Sequence, residues 1–219
     1  MRKLGPVAFA AEAAGYARLI EPSCTGVEER LRQLHDPDYV EEFISGVDPS
    51  ASAQGWRWTP DVRDGVIAIQ EGQLCAAKRA LEEGLAANVA QGFHHATYWK
   101  GAGFCTFNGL ALVAQEYPGK TIFVLDCDEH GGNGTEDFIG RMHNLQQATL
   151  CGQNYGCASR ERSTVFHFDS PITQNWNVYQ DALTQSFRLI KDSNADLVIY
   201  QAGADPHIND PLGSLGMTT

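Results

Sequence analysis

No stretch of the 219-residue sequence approaches the ~18 consecutive apolar residues of a membrane-spanning helix, which excludes a helical membrane protein. Basic side chains are scarce: 16 Lys and Arg stand against 27 Asp and Glu, a net charge of −11. A nucleic-acid binder working through phosphate contacts needs a basic face, so that class is excluded as well. No CxxC pair occurs among the six cysteines, Cys24, Cys75, Cys105, Cys127, Cys151 and Cys157, and several sit inside apolar runs. That pattern reads as reduced, buried thiols in a cytoplasmic protein rather than a disulfide framework. The opening Met1-Arg2-Lys3 and the run Leu4 to Ala11 imitate a secretory leader, but Glu12 ends the run after eight residues and export is not expected. Repeats, low-complexity tracts, charge blocks and interdomain linkers are missing too, so residues 1–219 are expected to form a single domain.

What is present is enough to build a core: 43% of residues are hydrophobic and 20% charged. Residues 7–18 and 27–34 have helical spacing, and Asp36-Pro37-Asp38-Tyr39 caps a further helix running toward Ser45. Residues 46–64, rich in Gly, Pro, Ser and Trp, read as a long loop, a feature compact domains often keep for function. Helical spacing returns from Val66 to Glu83, with Gly84 as C-cap, and again from Phe107 to Tyr117 before Pro118-Gly119. Ala86 to Ala90 is expected as a short strand, and Thr121 to Leu125 as a strand buried on both faces. Near the end, Tyr179, Ala182, Leu183, Ser186, Phe187 and Ile190 share a predicted helix face, followed by a strand over Asp196 to Tyr200. Helices alternating with short apolar strands indicate an α/β protein with a mainly parallel sheet flanked by helices.

Ligands of open α/β sheets bind beyond the carboxyl ends of the strands. Three polar segments fall at such positions here: Gly92-Phe93-His94-His95-Ala96, Asp126 to Gly134, and Gln201 to Pro206. Within the second, residues two apart in an extended segment point the same way, so Asp126, Asp128 and His130 can face one pocket. Asp128, His130 and Asp205 would then form a three-ligand site with an open position, which suits catalytic zinc and also iron or manganese. The simpler alternative is that these are capping and turn residues at a sheet edge. Beside a metal, one of the adjacent pair His94 and His95 could deprotonate a bound water and the other protonate a leaving amine.

In order along the chain stand Gly92 to Ala96, Gly103-Phe104-Cys105 with Asn108, Asp126 to Gly134, and Gly203-Ala204-Asp205 with Asp210-Pro211. This succession resembles the zinc-dependent histone deacetylase family, which includes deacetylase-like and acetylpolyamine amidohydrolases. Leu34-His35-Asp36-Pro37-Asp38-Tyr39-Val40 more weakly resembles that family's histidine-then-tyrosine helix opening. The likeness covers nearly the whole chain and implies an arginase/deacetylase-like fold. It implies Asp128, His130 and Asp205 as zinc ligands, with iron(II) an alternative ion, and it admits a structural monovalent cation. His95 would be the general base and His94 its acid or electrostatic partner, with Asp126 behind His94 raising that imidazole's pKa. Asn133, where some members carry an aspartate, would orient His95 without raising its pKa as far. Gly103 and Phe104 would line a narrow acyl-lysine-sized tunnel, with Tyr155 as the opposite wall. The implied substrate is an acylated lysine or polyamine, and the acidic balance of the chain favours a cationic one.

The resemblance has gaps. Family members continue past the Gly-Ala-Asp motif into a glycine-rich segment whose tyrosine stabilises the oxyanion, and none of the seven tyrosines here lies in such a motif. The family's first strand also lacks a counterpart, so the chain reads as a fragment of the domain, incomplete on its C-terminal side. Metal binding with weak turnover is the expectation, since losing an oxyanion donor costs ~10²–10³ in rate. Missing strands would expose an apolar sheet edge, which a homo-oligomer would cover. Gly131 replaces a usual second histidine and is expected to loosen its loop. Two competing readings are a non-catalytic metal- or acyl-lysine-binding module and a binuclear manganese ureohydrolase; the latter needs a second D-x-D, which Asp205-Pro206-His207 does not supply.

Overall fold

The computed structural model describes residues 4–169, 171–172 and 176–218. Four strands, β1 (Ile122–Asp126), β2 (Leu145–Cys151), β3 (Ser163–His167) and β4 (Leu197–Gln201), form one sheet in the order β3-β2-β1-β4. Every pairing is parallel, with Asp126 beside Thr149 on one side and Gln201 on the other. The central strand β1 is buried throughout. Its alternate residues divide between two cores: Ile122 and Val124 face one, Phe123 and Leu125 the other.

The first core receives helices α2 (Val27–Leu34), α3 (Pro37–Ser45), α4 (Pro60–Glu83) and α5 (Gly109–Glu116), through residues such as Leu31, Phe43, Ile69 and Leu112. The second receives α7 (Trp176–Asp192) through Tyr179 and Ala182. Helices thus cover both faces of a parallel sheet, the α/β arrangement expected from the alternation of elements. A further helix, α1 (Leu4–Ala13), precedes these, and a seven-residue α6 (Asn133–Ile139) joins β1 to β2.

Several boundaries differ from the sequence-based expectation. Ala86 to Ala90 forms no strand. Asn88 instead turns its amide onto α4, donating to Ile69 O (3.3 Å) and Gln73 Oε1 (3.2 Å), while its Oδ1 accepts the Ala90 N–H. A side chain that satisfies its own neighbourhood in this way competes with a ladder. Helix α1 stops at Ala13, and Gly15, with φ 73°, bends the chain away. Helix α4 begins six residues before Val66, because Thr59 Oγ1 accepts the Val62 N–H and Pro60 takes the first helical position. Phe187 is 55% exposed and does not share the buried face of α7 with Tyr179, Ala182 and Ser186.

Candidate metal centre at the carboxyl edge of the sheet

Strand β1 ends at Asp126, and the chain beyond it is wound by its own carboxylates. Asp126 Oδ1 accepts the Asp128 N–H (3.2 Å), and Asp128 Oδ1 accepts the His130 N–H (2.9 Å). From the neighbouring strand β4, Gln201 O accepts the Cys127 N–H (3.0 Å), which brings the Gly203-Ala204-Asp205 turn alongside. A Cβ on Gly203 would lie 2.6 Å from both Asp128 Oδ2 and Asp205 Oδ1, so only glycine lets the two segments meet.

Asp128, His130 and Asp205 converge here, with one potential ligand atom from each lying within 4.8 Å of the others. His130 Nδ1 is 3.3 Å from Asp128 Oδ1 and 3.0 Å from Asp205 Oδ2. Those two carboxylates push the His130 pKa up to about 10, and a cation bound between the three groups would take the place of that proton. Burial alone would raise the pKa of Asp128, yet the His130 hydrogen bond and the charges of His94 and His130 bring it below the ordinary carboxylate range. Two carboxylates and an imidazole closing on one point call for positive charge between them, and the donor set fits a divalent cation.

His94 and His95 reach this edge without a strand beneath them. The helix that starts at Asn133 approaches them so closely that a Cβ on Gly134 would collide with His94 O, His95 C and Ala96 O. There the Thr135 N–H donates to His94 O (3.0 Å). The two rings lie 4.1 Å apart but meet opposite partners. His94 Nδ1 bonds the fully buried Asp126 Oδ2 at 2.7 Å; burial opposes its charge, but Asp126 prevails and the pKa is raised. His95 Nδ1 bonds Asn133 Oδ1 at 2.7 Å; burial and then the neighbouring His94 charge push its pKa down to about 4. Asp126 thus favours the charged form of one imidazole, while burial favours the neutral form of its neighbour.

Aromatic side chains flank the histidines. Tyr155 stacks on His95 (centroids 4.8 Å, 25°) and meets His130 edge-on at 5.1 Å. A Cβ on Gly103 would lie 2.5 Å from His95 Cδ2, which brings the following Phe104 backbone to the same spot. Phe104 and Tyr155 are 44% and 51% exposed, so both are surface residues rather than core. Phe93, Phe104 and Tyr155 all carry left-handed backbone, at φ 60°, 65° and 49°, a strained conformation concentrated around this site.

The positions expected from the sequence therefore come together: Asp128, His130 and Asp205 in one cluster, His94 with Asp126, His95 with Asn133, and Gly103, Phe104 and Tyr155 around them. Gly131 departs from expectation. Its N–H donates to Gln153 O (2.8 Å), and a Cβ there would lie 2.5 Å from Asn154 O, so the glycine tightens its loop against residues 153–157. Two residues escaped the sequence reading. Trp56 packs on Phe104 (centroids 5.1 Å), while the Phe104 N–H donates to Gln54 O, which ties the 46–64 loop to that residue. Glu129 is fully buried beside the Asp128–His130–Asp205 cluster; its one sequence signal is an acid placed between Asp128 and His130.

Comparison with known proteins finds relatives of the chain and of its fold. The chain is 32% identical over 203 residues to an uncharacterized protein of Picosynechococcus sp., an alignment covering 86% of this chain and 65% of that protein. It is 30% identical over 151 residues to histone deacetylase 2 of Arabidopsis thaliana, covering 66% of this chain and 39% of that protein. The chain thus spans less than two thirds of the length of these relatives. The acetylpolyamine aminohydrolase of Burkholderia pseudomallei has a similar fold, with a TM-score of 0.76 at 18% identity, over 96% of this chain and 75% of that one. The fold is accordingly arginase/deacetylase-like, and the histone deacetylase domain accounts for residues 8–219. This chain belongs to the histone deacetylase domain family.

Proposed function

We propose that the chain is a zinc-dependent amidohydrolase acting on the acyl amides of lysine or polyamine amines. The observation that carries this reading is a pair of adjacent histidines at an Asp-His-Asp cluster, one backed by the buried carboxylate of Asp126 and the other by the amide of Asn133. Asp128, His130 and Asp205 would hold the ion, and iron(II) suits the same donors. When bound, zinc supplies the positive charge that polarises an acyl carbonyl and acidifies water. His95 donates Nδ1–H to Asn133, which leaves Nε2 unprotonated and ready to accept a proton from water. His94, whose Nδ1–H is anchored on Asp126, would give an Nε2 proton to the departing amine from its charged form, which Asp126 favours. Phe104 and Tyr155 would form the apolar sleeve for the substrate's alkyl chain, and the net charge of −11 favours a cationic amine beyond it.

Among the described residues one metal-capable cluster occurs, which favours a single ion over a two-manganese ureohydrolase centre. A structural monovalent cation near Asp126 is part of the same proposal, with the unpartnered buried hydroxyl of Thr149, its neighbour in strand register, as one donor available to it. Six free cysteines support a reducing, cytoplasmic setting, and no helix among the described residues is long and apolar enough to cross a membrane.

The test is zinc content together with hydrolysis of a fluorogenic acetyl-lysine amide and of an acetylated polyamine, for wild type and His95→Ala. Stoichiometric zinc and hydrolysis that disappears in His95→Ala are expected. Zinc without turnover would favour the binding-module reading, and a chain that takes up no zinc would overturn the assignment.

A further inference from the structure

Glu129 lies between two of the proposed ligands, yet its carboxyl group points away from them into the protein, where it is fully buried. A buried acid is costly unless its oxygens are hydrogen-bonded. Both are: Oε1 accepts Ser214 Oγ–H at 2.5 Å, and Oε2 accepts the Leu215 N–H at 3.1 Å. Space for this contact is reserved by Gly152, where a Cβ would strike Glu129 Oε1 and stand 2.5 Å from Ser214 Oγ.

The backbone of the same residue makes three more ties. Its N–H donates to Asp205 Oδ1 (3.2 Å), and its carbonyl accepts both the Gly152 and the Gln153 N–H at 3.0 Å. Gln153 in turn donates from Nε2 to Leu212 O (2.9 Å). The segment that Glu129 grips begins at Asp205 and folds back on it: the Met217 N–H donates to Pro206 O and the Ile208 N–H to Met217 O, both at 2.8 Å. Gly213 is pressed so closely on Asp205 O that no side chain fits there. Leu215, the residue held by the carboxyl group, is fully buried in the core beneath the sheet.

We infer that Glu129 is a positioning residue for the metal centre: its side chain latches the 205–217 loop to the Asp128–His130 turn and so fixes Asp205 against the other two ligands. This rests on the metal-site reading above. Groups that orient ligands from behind typically change metal affinity 10–100-fold when replaced.

The experiment is a competition titration of zinc against a chromophoric chelator, with the visible spectrum of the cobalt(II)-loaded protein as a second readout. Wild type, Glu129→Gln, Ser214→Ala and Val40→Ala are compared. Val40, buried in α3 remote from the loop, controls for loss of folding stability alone. Glu129→Gln is expected to weaken zinc binding at least 10-fold and to alter the cobalt spectrum. Ser214→Ala should shift both in the same direction by less, and it carries the test if the glutamine variant does not fold. Val40→Ala should lower the melting temperature and leave both readouts at wild-type values. Wild-type zinc affinity in Glu129→Gln, or in Ser214→Ala where that variant must serve, overturns the inference. Failure of the wild type itself to bind zinc removes the metal reading, and is distinguishable from the first outcome.

Discussion

At the scale of single residues, the chemistry of the site turns on what stands behind each histidine. Asp126 and Asn133 are close in shape, and both bond a ring Nδ1 at 2.7 Å, yet one is an acid and the other an amide. The Asn133→Asp substitution tests this distinction. A carboxylate facing His95 Nδ1 would raise a pKa that burial and His94 now hold near about 4. The base must be neutral to accept a proton, so the acidic limb of the kcat/KM profile should move to higher pH in this variant. An unmoved limb would show that His95 is not the titrating base. The motif residues were legible in the sequence because each carries its chemistry in its side chain. Glu129 was not, because an acid between Asp128 and His130 gives no sign of facing Ser214 and Leu215, 85 and 86 positions away.

Elements are docked around the site by polar contacts as well as by apolar burial. His35, at the C-terminal end of α2, is buried among Tyr39, Phe107 and Phe138. Its Nδ1–H donates to Thr97 O (2.9 Å), and Nε2 accepts the Asn108 N–H (3.1 Å), which joins α2 and α3 to the segments before and at the start of α5. Burial pushes its pKa down to about 4, against ~6.5 for an unfolded histidine. The unfolded chain therefore binds a proton first, and the stabilisation from neutral His35 is lost as pH falls from about 6.5 to about 4, roughly 3 kcal/mol in all. In denaturant titrations, the stability advantage of wild type over His35→Gln should shrink by that order between pH 7 and pH 4. A constant difference would mean His35 does not titrate on unfolding. Element periodicity had its own limits. The helices from Val27 and Pro37 have the expected bounds, whereas β2 is masked by Gln146 and Gln147, and Gln147 is buried by donating to Ser163 Oγ (3.0 Å) and Gly132 O (3.4 Å). A polar residue whose amide N–H groups find tertiary partners interrupts the pattern that identifies a buried strand.

For the molecule as a whole, the sheet has two edges, β3 and β4, and β4 shows Val198 and Tyr200 at 42% and 63% exposure. An open parallel edge with apolar side chains is prone to pairing with another chain. Self-association through β4 is the expected outcome, and sedimentation velocity should show wild type larger than monomer and the Val198→Lys/Tyr200→Lys double variant dissociated. A wild-type chain that sediments as a monodisperse monomer would exclude association through this edge.

The sequence by itself determined the donor chemistry and its order: the paired histidines, the alternating Asp126-Asp128-His130, the Gly-Ala-Asp turn, and the helices whose apolar spacing is local. Those features depend on side-chain type and on neighbours a few residues away. Only the tertiary structure decided that His94 meets a carboxylate and His95 an amide, that Gly131 is wedged against Asn154, that Trp56 packs on Phe104, and that Glu129 bonds the loop of Asp205. Each of these is set by burial and by short contacts between segments distant along the chain, and linear spacing does not encode which distant groups will meet.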